Sequence, residues 1–401
     1  MAFIFTEDQE QFRDSVSRFL KDKSSTVDVR RLMATAQGFD PKVWQQLSQQ
    51  LGMTGVHMPE ELGGAGFGPV EMAIVCEEMG KSLYCGPYFA SAVCAANALR
   101  LAGDELQQET FLPEIISGEK IACLAVTEDR GIWTDEVFPT TATFSSTATF
   151  SSTATRTDNG HLLNGHKRFV VDACNADTLI VVANDDQGIG FFVVDATAQG
   201  VSITALDSMD PTRKLADVEF TDSPAQRLNN SKPEQLRLLV DIASTALANE
   251  MVGGAQTLLD SALSYTQLRF QFGRSIASFQ AIKHRLADLL LELELAKSAA
   301  YQAAQTLAGS ALWAANGQIA HMDKVTEHAS LAKAAASDVY LHTALECIQM
   351  HGGIGFTWEN DTHLWFKRAK SSEVFLGTPA EHRERMLTAL CAQSTDLRNS
   401  A

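Results

Sequence analysis

Apolar residues recur at helical spacing from the start of the chain. The stretch TEDQ at Thr6 suits a capping box, and Phe12, Val16, Phe19 and Leu20 follow it, so a helix is predicted to begin there. Further helical periodicity surrounds Trp44 to Leu51 and Val70 to Met79, separated by a loop, Gly52 to Gly68, that carries PEELGGAGFG. These glycines have no strand before them and no βαβ unit around them, which argues against a Rossmann-type dinucleotide loop. The period then changes. Lys120 to Thr127, His161 to Val170, Thr178 to Ala183, Gly190 to Val194, Val201 to Leu206 and Leu215 to Phe220 are short apolar or alternating runs bounded by Gly, Asn and Asp. They predict a compact antiparallel β-domain. After Pro233 the helical period returns and persists to about Ala392, with long segments at Glu234 to Arg269, Ser278 to Leu307 and Asp323 to Met350, as in a four-helix bundle. The expected architecture is α+β: an N-terminal helical domain (1–120), a middle antiparallel β-domain (121–232) and a C-terminal four-helix bundle (233–401).

Composition narrows the field. At 401 residues, with 45% hydrophobic and 20% charged side chains, the chain can bury a large core and is not a disordered segment. Lys and Arg number 32 against 49 Asp and Glu, a net charge of −17, which makes a phosphate backbone an unfavourable partner. The seven cysteines form an odd set without a CxxC pair and lie mostly in apolar runs, pointing to reduced thiols and a cytoplasmic setting. The first residues lack a basic stretch followed by an apolar core, and no apolar run approaches about 18 residues, so neither export nor a membrane span is expected. The stretch TATFSSTATFSSTAT, Thr141 to Thr155, repeats a short unit. It reads as a tandem duplication lengthening a surface hairpin or loop, with a lid over a site as the alternative.

Four motifs then add chemistry: PEELGGAGFG in the first domain, LAVTE (Leu124 to Glu128) opening the second, and RFQFGRSIASFQAIKHRLAD (Arg269 to Asp288) and IQMHGGIGFTWE (Ile348 to Glu359) in the bundle. In this order and spacing the chain resembles the acyl-CoA dehydrogenase family over nearly its whole length. The resemblance implies an FAD-dependent enzyme that removes hydrogens from Cα and Cβ of an acyl-CoA thioester: a carboxylate takes the α proton and the flavin takes the β hydride. It also implies an oligomer and an electron-transfer flavoprotein as acceptor.

Carried over residue by residue, the resemblance places Arg269 at the diphosphate of a neighbouring subunit's FAD, where a guanidinium fork suits phosphate. Phe272 of RxxFG, Gln280 on the adenine side, and Gln349, Gly352 and Gly353 of the QxxGG turn complete that half. Val126, Thr127 and Thr378 match contacts to the chain's own flavin. Phe169 and Val171 stand where many members have a Trp beside the ring and a Thr near N5, so an aromatic is kept and a hydroxyl is not. The loop EDRGIW lacks the Gly-Ser-Asp pattern of many members.

The base departs further. In most members the carboxylate precedes a late Gly-Thr pair, and here that residue is Leu376, whose backbone N–H could still polarise a thioester carbonyl beside Gly377. In a second branch it lies on the first bundle helix, at the position of Ala243. Glu250, two turns further on, falls about 700° round and roughly 10.5 Å along the helix, on the right face but distant. It is a candidate base, with a buried ion pair or hydrogen bond as the plainer reading. Asp241 matches a position near the pantetheine arm of acyl-CoA, although the Arg often found three residues later is Ser244. Glu381 is a further acidic candidate, and His351 and His382 lack ligand spacing, so no metal is expected. An intact RxxFG and QxxGG half beside missing bases resembles heteromeric bacterial dehydrogenases, including steroid side-chain degrading pairs, in which one chain supplies the carboxylate. The alternatives are a self-sufficient homo-oligomer and a catalytically silent subunit completing a partner's FAD site.

Overall fold

The computed structural model describes residues 5–128, 151–157, 160–310, 312–313 and 322–399. Helix α1 (Glu7–Lys23) begins as its sequence requires, with Gln9 N–H donating to Thr6 Oγ1 at 3.2 Å and Thr6 N–H to Gln9 Oε1 at 3.0 Å. Its periodic Val16 and Leu20 are buried. Next come α2 (Thr26–Met33), α3 (Pro41–Gln45), α4 (Pro69–Lys81), α5 (Ala96–Ala102) and α6 (Glu105–Ile116). Two single π-helical stretches interrupt them, at Gln46–Gln50 and Phe89–Ala95. The PEELGGAGFG loop folds on itself: a Cβ at Gly64 would lie 2.2 Å from the Met58 carbonyl oxygen. Close backbone packing, not a phosphate, explains that glycine.

Seven strands follow: β1 (Ala122–Ala125), β2 (Thr153–Thr157), β3 (Gly160–Val171), β4 (Thr178–Asp185), β5 (Gly188–Asp195), β6 (Val201–Leu206) and β7 (Leu215–Arg227). Most pairings are antiparallel, but the expectation of a wholly antiparallel domain needs correcting. Strand β1 runs parallel to β4, Ala122 opposite Thr178 through Ala125 opposite Val181, and β2 meets β4 in parallel at Thr153 and Asn184. The cause is connectivity: β1 reaches β4 only through β2 and β3, and such a long return allows the parallel sense that a hairpin forbids. Strand β2 was not foreseen. It buries only Ala154, so its sequence carries almost no apolar alternation. Of the repeat, Thr141 to Phe150 lie outside the described residues, as does EDRGIW beyond Glu128.

The bundle comprises α7 (Pro233–Leu268), α8 (Gln280–Ala308), α9 (Met322–His351) and α11 (Pro379–Asn399), with α10 (Thr362–Val374) packed across α9 and α7. A short hairpin, β8 (Phe270–Gln271) and β9 (Arg274–Ser275), joins α7 to α8. Helices α4 and α7 cross with backbones in contact: a Cβ on Gly80 would lie 1.9 Å from Glu250 O, and one on Gly253 2.0 Å from Glu77 O. One apolar core fills the helical domain and bundle, and a second lies under the sheet. Phe375 packs against both, which places the residues after α10 at the junction of all three layers.

Candidate functional site

The expected site residues divide into two groups. The first gathers where α7 and α9 end. Arg269 terminates α7, its N–H bonded to Tyr265 O at 2.9 Å, and the hairpin behind it is pinned by Ile276 N–H to Arg269 O and Ser275 Oγ to Thr266 O, both 2.9 Å. At the end of α9, His351 stacks on Tyr265, with ring centroids 4.3 Å apart and planes 27° from parallel. This contact brings the turn beginning at Gly352 to the same end of the bundle as Arg269. Arg269, Gln280, Gln349, Gly352 and Gly353 are all exposed. Among the described residues the Arg269 guanidinium has no carboxylate partner, and the Gln280 and Gln349 amides have no hydrogen bond.

Glycine at 352 is explained by its φ of +63°, but Gly353 has no such reason, and a Cβ there would meet nothing within 4 Å. Open space in front of a glycine fits a group that approaches the backbone from outside the chain. Phe272 is 89% exposed with φ +55°, and Leu268, Phe270, Phe356 and Trp358 are exposed as well. So many exposed apolar side chains around one end of a bundle mark a protein-facing surface.

The second group lines a narrow cleft between the sheet and the bundle, where Val126, Thr127, Phe169, Val171, Phe375 and Leu376 meet. Its polar groups are largely engaged within the chain. Thr127 Oγ1 donates to Arg168 O at 2.5 Å, and Val126 O accepts from the buried Lys167 Nζ at 3.1 Å. Burial pushes the Lys167 ammonium down to about 8. Burial would raise its partner Glu128, 2.7 Å away, but Lys167 and the Ser151 and Ser152 donors outweigh it and hold that carboxyl at about 2. Thr378 N–H and hydroxyl both donate to Glu381 Oε2, at 2.7 and 2.9 Å. Glu381 is thus a helix-capping residue rather than an exposed acid, and Thr378 is committed to that cap.

Leu376 is 1% exposed and adopts φ +63°, while Phe169 has φ +55°. Left-handed backbone at a non-glycine residue costs roughly 1 to 2 kcal/mol. The turn at Leu376 is held by two buried cations or donors from neighbouring helices. Lys333 Nζ donates to Glu373 O and Gly377 O at 3.2 and 3.1 Å, and His382 Nε2 lies 2.9 Å from Leu376 O. Burial pushes Lys333 down to about 7 and His382 well below its ordinary range. Ala243 is buried inside α7.

A second cleft adjoins the first through Phe89 and Val171, and charged side chains line it. Arg213 Nη2 donates to both Glu250 oxygens at 2.7 and 2.9 Å; Arg368 donates to Glu250 Oε1 at 2.7 Å, to Asp210 at 2.8 Å and to Thr212 at 2.7 Å. The Arg213 guanidinium sits 5.5 and 5.4 Å from the Phe89 and Phe375 ring centroids. Burial alone would raise the Glu250 carboxyl, but the two arginines outweigh it and hold it below the usual carboxylate range. The buried ion-pair reading of Glu250 therefore replaces the base reading: a carboxylate gripped by two guanidinium groups is a poor proton acceptor. Burial drives the nearby Asp172 carboxyl up to about 6. Asp241 is likewise fully buried, bonded to Thr326 Oγ1 at 2.6 Å and paired with Arg385 at 2.8 Å, so its carboxylate does not face an open cleft.

The sequence did not single out Arg213, Arg368, Asp210, Asp172, Lys167 or Lys333. The charged partners that decide their roles, such as Glu128 for Lys167, Glu250 for Arg213 and Asp210 for Arg368, are remote in the chain. All seven cysteines are free thiols. Among the described residues no helix is long and apolar enough to cross a membrane, and no cluster of His, Cys, Asp and Glu is arranged for a metal ion.

Family models for the N-terminal, middle and C-terminal domains of acyl-CoA dehydrogenases match residues 6–119, 140–223 and 240–391. The acyl-CoA dehydrogenase IpdE2 of Mycobacterium tuberculosis is 30% identical over 383 residues, covering 95% of this chain and 96% of the relative. The chain belongs to the acyl-CoA dehydrogenase family. Another relative within it is the CarC subunit of the caffeyl-CoA reductase-Etf complex of Acetobacterium woodii, 26% identical over 93% of this chain and 96% of CarC. Among solved structures, the ChsE4-ChsE5 complex of Mycobacterium tuberculosis superposes with a TM-score of 0.84 at 25% identity, covering 98% of this chain and 99% of that one.

FAD is the cofactor of acyl-CoA dehydrogenases. The two groups of residues fit it unequally. The end of the bundle presents an unpaired guanidinium, two unpaired amides and an unobstructed glycine turn, all suited to a dinucleotide approaching from outside. The chain's own cleft fits poorly, since Thr127, Thr378 and Val126 O are bonded internally and Val171 offers no hydroxyl. The side chains at the two expected base positions, Leu376 and Ala243, carry no proton acceptor.

Proposed function

We propose that this chain is the subunit without a base in a heteromeric FAD-dependent acyl-CoA dehydrogenase, completing the FAD site of a second, catalytic chain. The observation that carries this reading is the contrast between the half-sites: the surface offered to a neighbour is open and carries an unpaired guanidinium, while the polar groups of the internal cleft are bonded within the chain and the adjoining cleft is lined by the buried Arg213, Glu250 and Arg368 network. Leu376 and Ala243 agree with it, because a missing general base alone costs roughly 10² to 10⁴ in rate. The ChsE4-ChsE5 relative is itself a complex of two chains, which supports the same assembly here.

In the heteromer, Arg269 would take the FAD diphosphate with a planar fork, Gln280 and Gln349 would bond its polar edges, and the N–H groups at Gly352 and Gly353 would approach it directly. Phe272 and the neighbouring apolar side chains would seat the partner. When bound, FAD supplies the hydride acceptor, while the carboxylate comes from the other chain. An acyl-CoA thioester is the substrate class, an electron-transfer flavoprotein the electron acceptor and the cytoplasm the compartment; the Etf-linked CarC relative supports the acceptor.

Flavin stoichiometry tests the proposal. The chain purified alone should carry no FAD, and co-expression with a base-bearing dehydrogenase chain should give a yellow complex holding half as many flavins as chains, bleached by an acyl-CoA. A homo-oligomer with one flavin per chain that is bleached by acyl-CoA would sink it in favour of a self-sufficient enzyme.

A further inference from the structure

The two segments offered to the partner's cofactor come from different helices, and something must hold them in register. Arg269 closes α7 and Gly352 follows α9. Among the described residues no hydrogen bond or ion pair joins the Arg269 hairpin to the Gly352 turn. The side chains that meet there are Tyr265, one helical turn before Arg269, and His351, immediately before Gly352. Their rings stack at 4.3 Å. His351 is buried, and its Nδ1 lies 2.8 Å from Cys347 O, one turn back in its own helix, so the imidazole plane is fixed to α9. Tyr265 is fixed to α7 by a backbone that continues directly into the Arg269 N–H bond.

We propose that Tyr265 and His351 are positioning residues for FAD: their stack sets the distance between the diphosphate-binding guanidinium and the glycine turn. This rests on the reading that the chain completes a partner's FAD site. A flat ring pair suits the task because it resists both approach and tilt of the two helix ends. Displacing a positioned group by an ångström costs up to about a hundredfold, so loss of the stack should weaken FAD binding on the order of tenfold.

The experiment uses the co-expressed heteromer. Tyr265→Leu should weaken FAD affinity about tenfold, measured by titrating FAD into deflavinated complex, with kcat at saturating FAD and KM for the acyl-CoA unchanged. Tyr265→Phe, which keeps the ring and drops the hydroxyl, should bind FAD as the parent does. Parent-like affinity in Tyr265→Leu, or an equal loss in Tyr265→Phe, overturns the proposal. Should Tyr265→Leu fail to assemble, His351→Leu beside His351→Phe decides: a loss in the first that the aromatic second largely restores upholds the stack, and parent-like affinity in His351→Leu, or an equal loss in both, overturns it. Arg269→Ala in the same assay separates the two claims. Unchanged FAD affinity there sinks the underlying reading, whereas a loss there beside an unaffected Tyr265→Leu sinks only the positioning pair.

Discussion

Arg213 Nη2 donates to both carboxylate oxygens of Glu250, at 2.7 and 2.9 Å, beside a cleft that both residues line. Arg368 grips the same carboxylate from α10. Removing one member of a buried charge set leaves the others uncompensated, so Glu250→Gln should lower stability by about 3 to 5 kcal/mol. Because the arginines hold the folded carboxyl below its unfolded value, the contribution is present in full above the ordinary glutamate range and is lost only as the pH falls from there through the lower folded value. Urea titrations carried from neutral pH to well below the ordinary glutamate range should therefore show the difference persisting near about pH 4 and the two proteins converging only in stronger acid. A variant as stable as the parent at neutral pH would contradict the network's role.

Much of this fold was legible because its information is local. The change from helical spacing to alternation and back marks the three regions, and Val201–Leu206 emerges as a strand at the bounds its sequence predicts. The parallel pairing of β1 with β4 was not legible, since register between distant strands leaves no trace in either strand. The same division holds for the site. Arg269 and the Gly352 turn, proposed to meet a partner's cofactor, lie in short contiguous motifs, so the sequence could mark them as candidates. The fate of Glu250 was decided by Arg213, before β7, and Arg368, in α10, neither of which shares a periodic pattern with it.

A glycine that nothing in its own chain requires is a direct probe of the outside partner. Gly353→Ala adds a Cβ into open space without a left-handed φ, so the melting of the isolated chain should shift by no more than about 0.5 kcal/mol equivalent. Flavin content of the heteromer should nevertheless fall several-fold, read from the absorbance of released FAD. Undiminished flavin would mean that the glycine turn does not approach the cofactor.

Restoring a carboxylate should not restore a dehydrogenase. Leu376→Glu places the acid beside Phe375 at a buried turn clamped by Lys333 and His382. Its cleft still abuts the Arg213 network, and its flavin contacts are still spent within the chain. The prediction is no acyl-CoA-dependent dye reduction by the variant purified alone. Turnover by that homo-oligomer would show that the missing base was the sole defect.

Asp172 gives a pH dependence of the opposite sense to Glu250. Burial raises its folded pKa to about 6, above the unfolded value, so the folded state prefers the protonated acid. Its contribution is intact below about pH 4 and is lost as the pH rises through 6, by about 2 to 3 kcal/mol. Asp172→Asn keeps a side chain that tolerates φ +55° and can still accept from Asn175. Between pH 4 and 7 the variant should gain on the parent by that amount in urea unfolding. Parallel stability curves would show that Asp172 is solvated or neutralised in the folded chain.

The contact between α4 and α7 reaches the same cleft by another route. The carbonyl that Gly80 approaches belongs to Glu250, and the one that Gly253 approaches belongs to Glu77, so each glycine sets the position of a buried carboxylate on the opposite helix. Glu77 in turn holds Arg13 at 2.6 Å, Tyr301 at 2.9 Å and Lys81 at 3.2 Å. A Cβ 1.9 or 2.0 Å from backbone oxygen cannot be absorbed by a rotamer change, and the helices must separate. Gly80→Ala and Gly253→Ala should each cost about 3 kcal/mol or more. The costs should not add: once the first methyl has parted the helices, the second enters space already opened, and the double variant should lie well short of the sum. Thermal melts of the two singles and the double measure this coupling directly. Strict additivity would mean that the glycines act at separate contacts, and that the helix crossing does not hold the Arg213 and Glu250 pair in place.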